Sequence, residues 1–499
     1  MSYVIGMDLG TQSLKGVLID PSGKTVAEAS HAHEPSYPNA GWAEQTRAMD
    51  WIDSMVDVVH KIMADSGISP DEVEMIGFDS QVDGAVAVDN DGNPLTPALI
   101  WLDRRAEAQT AAMGKKIAEE KIFELTGLNL DSSHVAPKVL WIRETYPDIF
   151  EKCSNILLPG SFMVKYLTGE AVVDYSNASS TMIYNVNTKA WDPEIAKALD
   201  LDPMILGRIG PSHEVAGHLT ERAAELLGLT TNCRVVIGSG DEHAACLGAG
   251  LVRPGMVCDI TGTAEPVCAV GDKPLLDHKH LVETHAHADS RWWLIENPGF
   301  VSGGSMRWFK DNIVKSDYGM MNELAAKVAP GSDGVIFLPC MSGAMTPRWN
   351  GNARGIFSGL SLNHGMEHIT RAVFEGIAFG LRDNIDRFEE IGIDCSEVRI
   401  VGGGTKSPLW CQMKADCIGK TMQCTKNPEG AAIGAAMMAS VANGFFKDMD
   451  EAAEAMVELD EKIYEPDPTV KEAYDEAYAR YLATYDAMEP VYDKLYKGE

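Results

Sequence analysis

The chain has 499 residues, 45% of them apolar and 23% charged, with a formal net charge of −31. That length exceeds a single core and leads to an expectation of two or more domains, while so negative a field argues against nucleic acid or an anionic membrane as partner. Ten cysteines without a CxxC pair point to reduced thiols, and no charged segment followed by an apolar run opens the chain, so a cytoplasmic protein without a secretory signal is expected.

The first elements are strand-like. Tyr3–Leu9, Lys15–Asp20 and Lys24–Ser30 read as strands, the last two joined by the turn Pro21-Ser22-Gly23-Lys24. Between the first two lies Asp8-Leu9-Gly10-Thr11-Gln12-Ser13. A tight turn of this kind directs backbone N–H groups and hydroxyls at one spot, which suits phosphate oxygens, and a carboxylate at the strand end can hold the accompanying metal. An amphipathic helix over Met49–Asp65 follows, then strands at Val73–Asp79 and Ala85–Val88. Strands with intervening helices predict a mixed sheet in an α/β domain.

Gln81-Val82-Asp83-Gly84 and Trp101-Leu102-Asp103-Arg104-Arg105 each follow a strand-like run. Polar side chains beside an indole suit a sugar, whose hydroxyls bond while the ring covers a C–H face. A surface ion pair for Asp103-Arg104 and a core position for Trp101 stand as the alternatives. The pattern restarts with a strand at Arg234–Gly238, a helix from Asp241 to Gly250, and a strand at Gly255–Ile260 that ends in Thr261-Gly262-Thr263. Two Gly-Thr turns in one setting hint at internal duplication. The main boundary is placed near Leu251–Gly255, giving domains 1–250 and 251–499 packed around a cleft.

Asp241 stands at a helix start, where it serves either as a helix cap or as a general base for a hydroxyl that attacks a phosphoryl group. Further on, Val401-Gly402-Gly403-Gly404-Thr405-Lys406-Ser407 joins a strand to a helix, letting a ligand approach the backbone closely; it is neither a Walker loop nor a dinucleotide fingerprint. Glu429 to Gly434 opens a helix of small residues, expected to be tightly packed inside a domain. The acidic stretches Ala452–Lys462 and Glu472–Ala487 are expected as water-facing helices.

Together these segments resemble the FGGY carbohydrate kinase family, and the resemblance covers nearly the whole chain. Its most specific stretch is Gly355-Ile356-Phe357-Ser358-Gly359-Leu360 followed by His368 to Glu375; a second signature is partly present in Ser133 to Thr145 through Lys138, Trp141 and Glu144. Gly41-Trp42-Ala43-Glu44-Gln45 and Thr346-Pro347-Arg348-Trp349 are similar to xylulokinase-like members. The resemblance implies two actin-like (ribonuclease H-like) ATPase domains around a catalytic cleft, with ATP and Mg²⁺ as cofactors. It implies that Asp8, Thr11, Gln12 and Ser13 form the first phosphate hairpin and that Thr261, Gly262 and Thr263 meet the transferred phosphate. Gly403, Gly404 and Ser407 would hold the nucleotide, Asp8 and Asp241 the Mg²⁺, and Asp241 would be the catalytic base. Gln81, Asp83, Trp101, Asp103 and Asp241 would bind the sugar.

The chain departs from the xylulokinase pattern in three places. Asp83 stands where those enzymes carry His in Gln-Met-His-Gly, Ala344 lies where Gly-Glu-Arg-Thr-Pro is usual, and Gly160-Ser161-Phe162 replaces a Lys-Asp-Tyr-like sequence. An ionised Asp83 would repel an acid sugar, so a neutral ketose such as D-xylulose is expected, with an alditol or other ketose (erythritol, ribulose, glycerol) as alternative. An actin-like switch ATPase without a sugar substrate is the alternative of a different class. A homodimer is common among similar enzymes and is a further expectation.

Overall fold

The computed structural model describes residues 2–297, 299–344, 347–427 and 430–496. Glu429 and Thr346, named above, lie outside the described residues.

The first sheet is built from β1 (Tyr3–Leu9), β2 (Ser13–Ile19), β3 (Thr25–Ala32), β4 (Val73–Ser80), β5 (Val215–His218), β6 (Arg234–Val236) and the two-residue β7 (Ser239–Gly240). Its order is β5-β6-β4-β1-β2-β3, with β7 also beside β4. β1 is apolar along its length because β2 and β4 pair its two edges while helices cover both its faces, Ile5 and Met7 clustering with Trp51 and Met55, and Val4 with Ala436. The amphipathic stretch after β3 forms α1 (Met49–Ser66), which turns Trp51, Ile52, Met55, Val58, Val59 and Ile62 inward and ends on left-handed Gly67.

The second sheet contains β8 (Met256–Thr261), β9 (Val267–Gly271), β10 (Glu283–Ala286), β11 (Trp293–Asn297), β12 (Glu397–Gly402), β13 (Met422–Thr425) and β14 (Leu459–Tyr464), in the order β10-β11-β9-β8-β12-β13-β14. The two sheets repeat one topology. In the first, β1 pairs antiparallel with β2, β2 with β3, and β4 and β6 join in parallel on the other side of β1. In the second, β8 pairs antiparallel with β9, β9 with β11, and β12 and β13 join in parallel on the other side of β8. The Asp8–Ser13 turn thus has its counterpart at Thr261–Glu265. The Gln81–Gly84 turn, after the first parallel strand of its sheet, has its counterpart at Gly402–Gly404.

Six helices matter for the site: α2 (Val135–Thr145), α3 (Asp241–Gly248), α4 (Gly303–Phe309), α5 (Tyr318–Ala325), α6 (Met366–Glu390) and α7 (Pro408–Ile418). Three more follow, α8 (Gly430–Asn443), α9 (Met449–Met456) and α10 (Lys471–Leu495). The small-residue helix α8 lies on the first sheet, although its sequence belongs to the second half. A Cβ added to Gly77 would stand 2.2 Å from the Ala435 carbonyl oxygen, and one on Gly248 would stand 1.9 Å from that of Gly430. Glycine on β4 and on α3, facing alanine and glycine of α8, permits this approach, which fixes α3 and therefore Asp241. A division at residue 250 thus separates the strands of the two sheets but not their helices.

The structure corrects two expectations near the C-terminus. The predicted helix Ala452–Lys462 stops at Met456, and Leu459–Tyr464 becomes the edge strand β14, paired antiparallel with β13. The open ladder of β13 supplies hydrogen-bond partners that an isolated helix end lacks. The predicted water-facing helix over Glu472–Ala487 lies within α10, which buries Tyr474, Tyr478, Tyr481, Tyr485 and Tyr492 along one stripe. That stripe meets the FGGY signature: Arg371 on α6 donates to Glu375 at 2.6 Å and to the Tyr474 hydroxyl at 2.9 Å, all three buried. The signature is a structural lock in this chain.

Candidate active site

Three carboxylates meet at the strand ends of the first sheet. Asp8 on β1 is the ladder partner of Asp79 on β4, and β7 lays Ser239 beside Asp79 immediately before α3 begins at Asp241. Asp79 is fully buried; burial, Asp8 and Asp241 push its carboxyl well above the usual range. Burial and the nearby Asp8 push Asp241 up to about 7. The cap alternative fails on geometry: Gly240 occupies the cap position, and Asp241 is the first helical residue, its Oδ1 accepting only from the adjacent Glu242 N–H at 2.9 Å. A carboxyl that titrates near neutrality suits proton abstraction.

The second half brings two turns toward this cluster. At the end of β8, the Gly262 and Thr263 carbonyls accept from the Gly303 and Gly304 N–H groups at 3.0 Å each, and Arg307 on α4 donates to Thr263 Oγ1 at 3.1 Å. Gly404 packs on Thr261, where an added Cβ would come within 2.7 Å of its methyl. The buried Lys414 of α7 fastens the two turns together, its Nζ lying 2.7 Å from Asp259, 3.0 Å from Glu265 and 3.1 Å from Thr261 Oγ1. Burial beside Asp259 pushes Glu265 up to about 8. Asp8 and Lys15 of the first hairpin share a cavity of about 150 Å³ with Ala245, Ile260, Gly402 and Gly430. The cleft therefore joins both halves.

Ser407, expected at the nucleotide, does other work: its hydroxyl caps α7 by accepting from the Trp410 N–H and donates to Asn322 on α5 at 2.6 Å. Gly403, Thr11, Gln12 and Ser13 stand in the turns where they were expected, with Gln12 exposed.

Around the segments expected at the sugar, one buried lysine gathers three stretches of chain. Lys138 Nζ donates to the carbonyls of Asp83 at 2.6 Å, Ile100 at 2.9 Å and Ser133. Burial draws it down to about 8. These segments carry Asp83, Trp101 and His134. Asp83 has φ +58°, a left-handed conformation that costs about 1–3 kcal/mol for such a residue and that the Lys138 bond helps to hold. Its Oδ1 lies 3.3 Å from His134 Nδ1. Burial opposes the imidazolium, but Asp83, Glu283 and Asp131 outweigh it and raise His134 to about 9. The repulsion of acid sugars expected from Asp83 is therefore cancelled by a neighbouring cation.

Gln81 is buried with its Oε1 unpartnered, and Trp101 is 42% exposed, its indole N–H donating to Thr11 Oγ1 at 2.9 Å. Trp101 thereby ties the expected sugar segment to the phosphate hairpin. Asp103 differs from expectation. It is fully enclosed, and its two oxygens accept from the Ala43 N–H at 2.7 Å and from the Arg105 backbone and Nε at 3.0 and 2.8 Å. Enclosed in this way, its carboxylate is not open to a sugar. The expected Asp103–Arg104 surface pair is also replaced, since Arg104 pairs with Asp131 while Arg105 stacks 3.8 Å over Trp42.

Residues 3–248 match the N-terminal domain of the FGGY family of carbohydrate kinases, and residues 259–443 match its C-terminal domain. The chain belongs to that family. This kinase is 30% identical over 489 residues to a xylulose kinase of Lactococcus lactis, with 97% of each chain covered. It is 31% identical to glycerol kinase 2 of Thermotoga maritima, over 93% of this chain and 95% of the other. The crystal structure of xylulose kinase from Rhodospirillum rubrum superposes with a TM-score of 0.92 at 27% identity, covering 98% of this chain and 99% of that one. The fold is thus two actin-like α/β domains, and the activity is ATP-dependent phosphotransfer to a sugar. That membership sets aside the switch ATPase.

Sequence reading missed Asp79, His134 and Lys414, and it assigned Lys138 no role. Asp79 could have been found as an acid ending an apolar strand, as Asp8 does. His134 carries no local signal, because its partner lies 51 residues away. Among the described residues of the kinase, no group of three His, Cys, Asp or Glu is arranged to enclose a metal alone, and no helix is long and apolar enough to cross a membrane. The crowded acids nonetheless fit a divalent ion shared with ATP, because a cation relieves the mutual repulsion that raises Asp79 and Asp241.

Proposed function

We propose that this kinase transfers the γ-phosphoryl group of ATP to a primary hydroxyl of a small uncharged sugar, a ketopentose such as D-xylulose, with Asp241 as the base. The observation that carries the reading is the placement of Asp241, the first residue of α3, at the strand ends of the first sheet beside Asp8. Asp241 takes the hydroxyl proton as the sugar oxygen bonds to the γ-phosphorus; the bond to the β–γ bridging oxygen breaks and ADP leaves. Thr11, Gln12 and Ser13 on one side and Thr261, Gly262 and Thr263 on the other hold the phosphates, and Gly403 and Gly404 admit the nucleotide to the second half. Arg307, bonded to Thr263, adds positive charge at the same turn. Asp8 and Asp241 would hold Mg²⁺, which supplies positive charge against the phosphates when bound.

Gln81, Asp83 and Trp101 line the sugar side, and Asp103 supports them through Ala43 and Arg105. Closure of the halves around residues 251–255 excludes water from the transferred group. The names of the relatives favour a ketopentose, and the glycerol kinase at like identity keeps an alditol as the second reading. A coupled ADP-release assay over ketopentoses, ketohexoses, alditols and an aldonate tests this directly. D-xylulose is expected to give the highest kcat/KM; highest turnover with glycerol or erythritol would replace it by the alditol reading.

A further inference from the structure

The Asp83–His134 pair differs from two other buried ion pairs of the kinase in what it leaves unused. In Asp103–Arg105 and Asp277–Arg387, both carboxylate oxygens are engaged by guanidinium or backbone donors. In Asp83–His134 only Oδ1 and Nδ1 meet, and neither Asp83 Oδ2 nor His134 Nε2 bonds another described residue. Both side chains keep a little exposure, 12% for Asp83 and 7% for His134. The strained backbone of Asp83 and the carbonyl before His134 are both pinned by Lys138. Strain held in place by a dedicated buried cation is characteristic of a binding position.

The pair also stands where the second half closes on the first. Glu283 of β10 acts on the His134 charge, and its Oε1 accepts from the Asn129 N–H at 3.0 Å.

We propose that His134 is a specificity-determining residue of the sugar site, reading with Asp83 two adjacent oxygens of an uncharged 2-ketose. This rests on the sugar reading given above. Asp83 Oδ2 accepts from a sugar hydroxyl, and the imidazolium Nε2–H donates to the neighbouring oxygen. A carbonyl beside a hydroxyl satisfies both without either group having to choose a role, because a carbonyl only accepts and an ionised carboxylate only accepts. A sugar without that arrangement leaves a buried donor or acceptor unpaired, which is how hydrogen-bonding sites discriminate strongly. The pair carries no net charge, so it makes no demand for a charged substrate.

The test uses the full chain in the ADP-release assay with D-xylulose, D-ribulose, D-fructose, xylitol, erythritol, glycerol and gluconate as probes. Asp83→Asn, His134→Gln and the double variant are compared with wild type. Each single variant is expected to raise the KM of the preferred ketose tenfold or more while the KM for ATP changes less than twofold. The double variant is expected to be no worse than the more impaired single one. An unchanged ketose KM, or losses that simply multiply in the double variant, overturns the pair. The unaltered ATP KM reports folding, and if one variant fails to fold the other still reads the same pair. Wild type inactive on every probe overturns the sugar reading and this inference with it, whereas an active wild type with indifferent variants overturns this inference alone.

Discussion

The two halves of the kinase share a topology and differ in what they do with one buried lysine. In the first half, Lys138 meets only backbone carbonyls and is drawn down to about 8 by burial. In the second, Lys414 stands against Asp259 and Glu265, and those carboxyls outweigh burial and push it up. Lys138 organises loops, gathering the segments of Asp83, Trp101 and His134. Lys414 joins a strand end to a helix, holding the turn at Thr261 against the turn at Gly404. On the proposed reading, the sugar site is built on carbonyls that leave side chains free and the triphosphate site on a rigid charged knot.

The comparison can be broken by experiment. The largest effect falls at the point both halves serve: Asp241→Asn should lower kcat by about 10²–10⁴, the range of general-base removal, with ATP binding retained in calorimetry. Full sugar-dependent turnover in that variant would remove Asp241 from the chemistry. Lys414→Met strands the Asp259 charge in the interior and should cost about 3–5 kcal/mol in denaturant unfolding. Where the variant folds, it should raise the KM for ATP more than that for sugar. Lys138→Met leaves dry carbonyls instead, each worth about 1–3 kcal/mol, and should raise the sugar KM more than that for ATP. If the two variants exchange these signatures, the division of labour between the halves is wrong.

The charge on His134 gives a pH test of the first half alone. Its folded value is raised from 6.5 to about 9, so the stability from pairing with Asp83 is complete below pH 6.5 and lost as pH climbs through about 9. The stability difference between wild type and His134→Gln should therefore shrink across that window; a constant difference would mean that the pair is not ionic. The smallest effect is expected from Trp101→Phe, which removes the indole N–H bond to Thr11 and should cost about 1 kcal/mol, read as a severalfold rise in sugar KM.

The strands up to Val73–Ser80, the Asp8 hairpin and the strand ending at Thr261 were legible in sequence, because apolar runs closed by glycine turns are local signals. The helix Ala452–Lys462 was misread, because its second part takes its hydrogen bonds from the edge of β13, far away in sequence. Asp103 looked like a sugar ligand beside an indole, yet the Ala43 N–H and Arg105 use both its oxygens. The Gln81–Gly84 and Gly402–Gly404 turns were both singled out, but not as counterparts, because equivalence is a property of sheet order.

By itself the sequence determined the glycine-bearing turns after Asp8 and at Thr261, the α/β class and the resemblance to sugar kinases. Each of these depends on residues that are neighbours along the chain. The tertiary structure alone decided that Asp241 is buried beside Asp8 and so raised to about 7, that Asp83 is paired with His134, and that α8 returns to the first sheet. These are consequences of distance and burial, which set the strength of charge interactions, and folding brings those groups together across long stretches of chain.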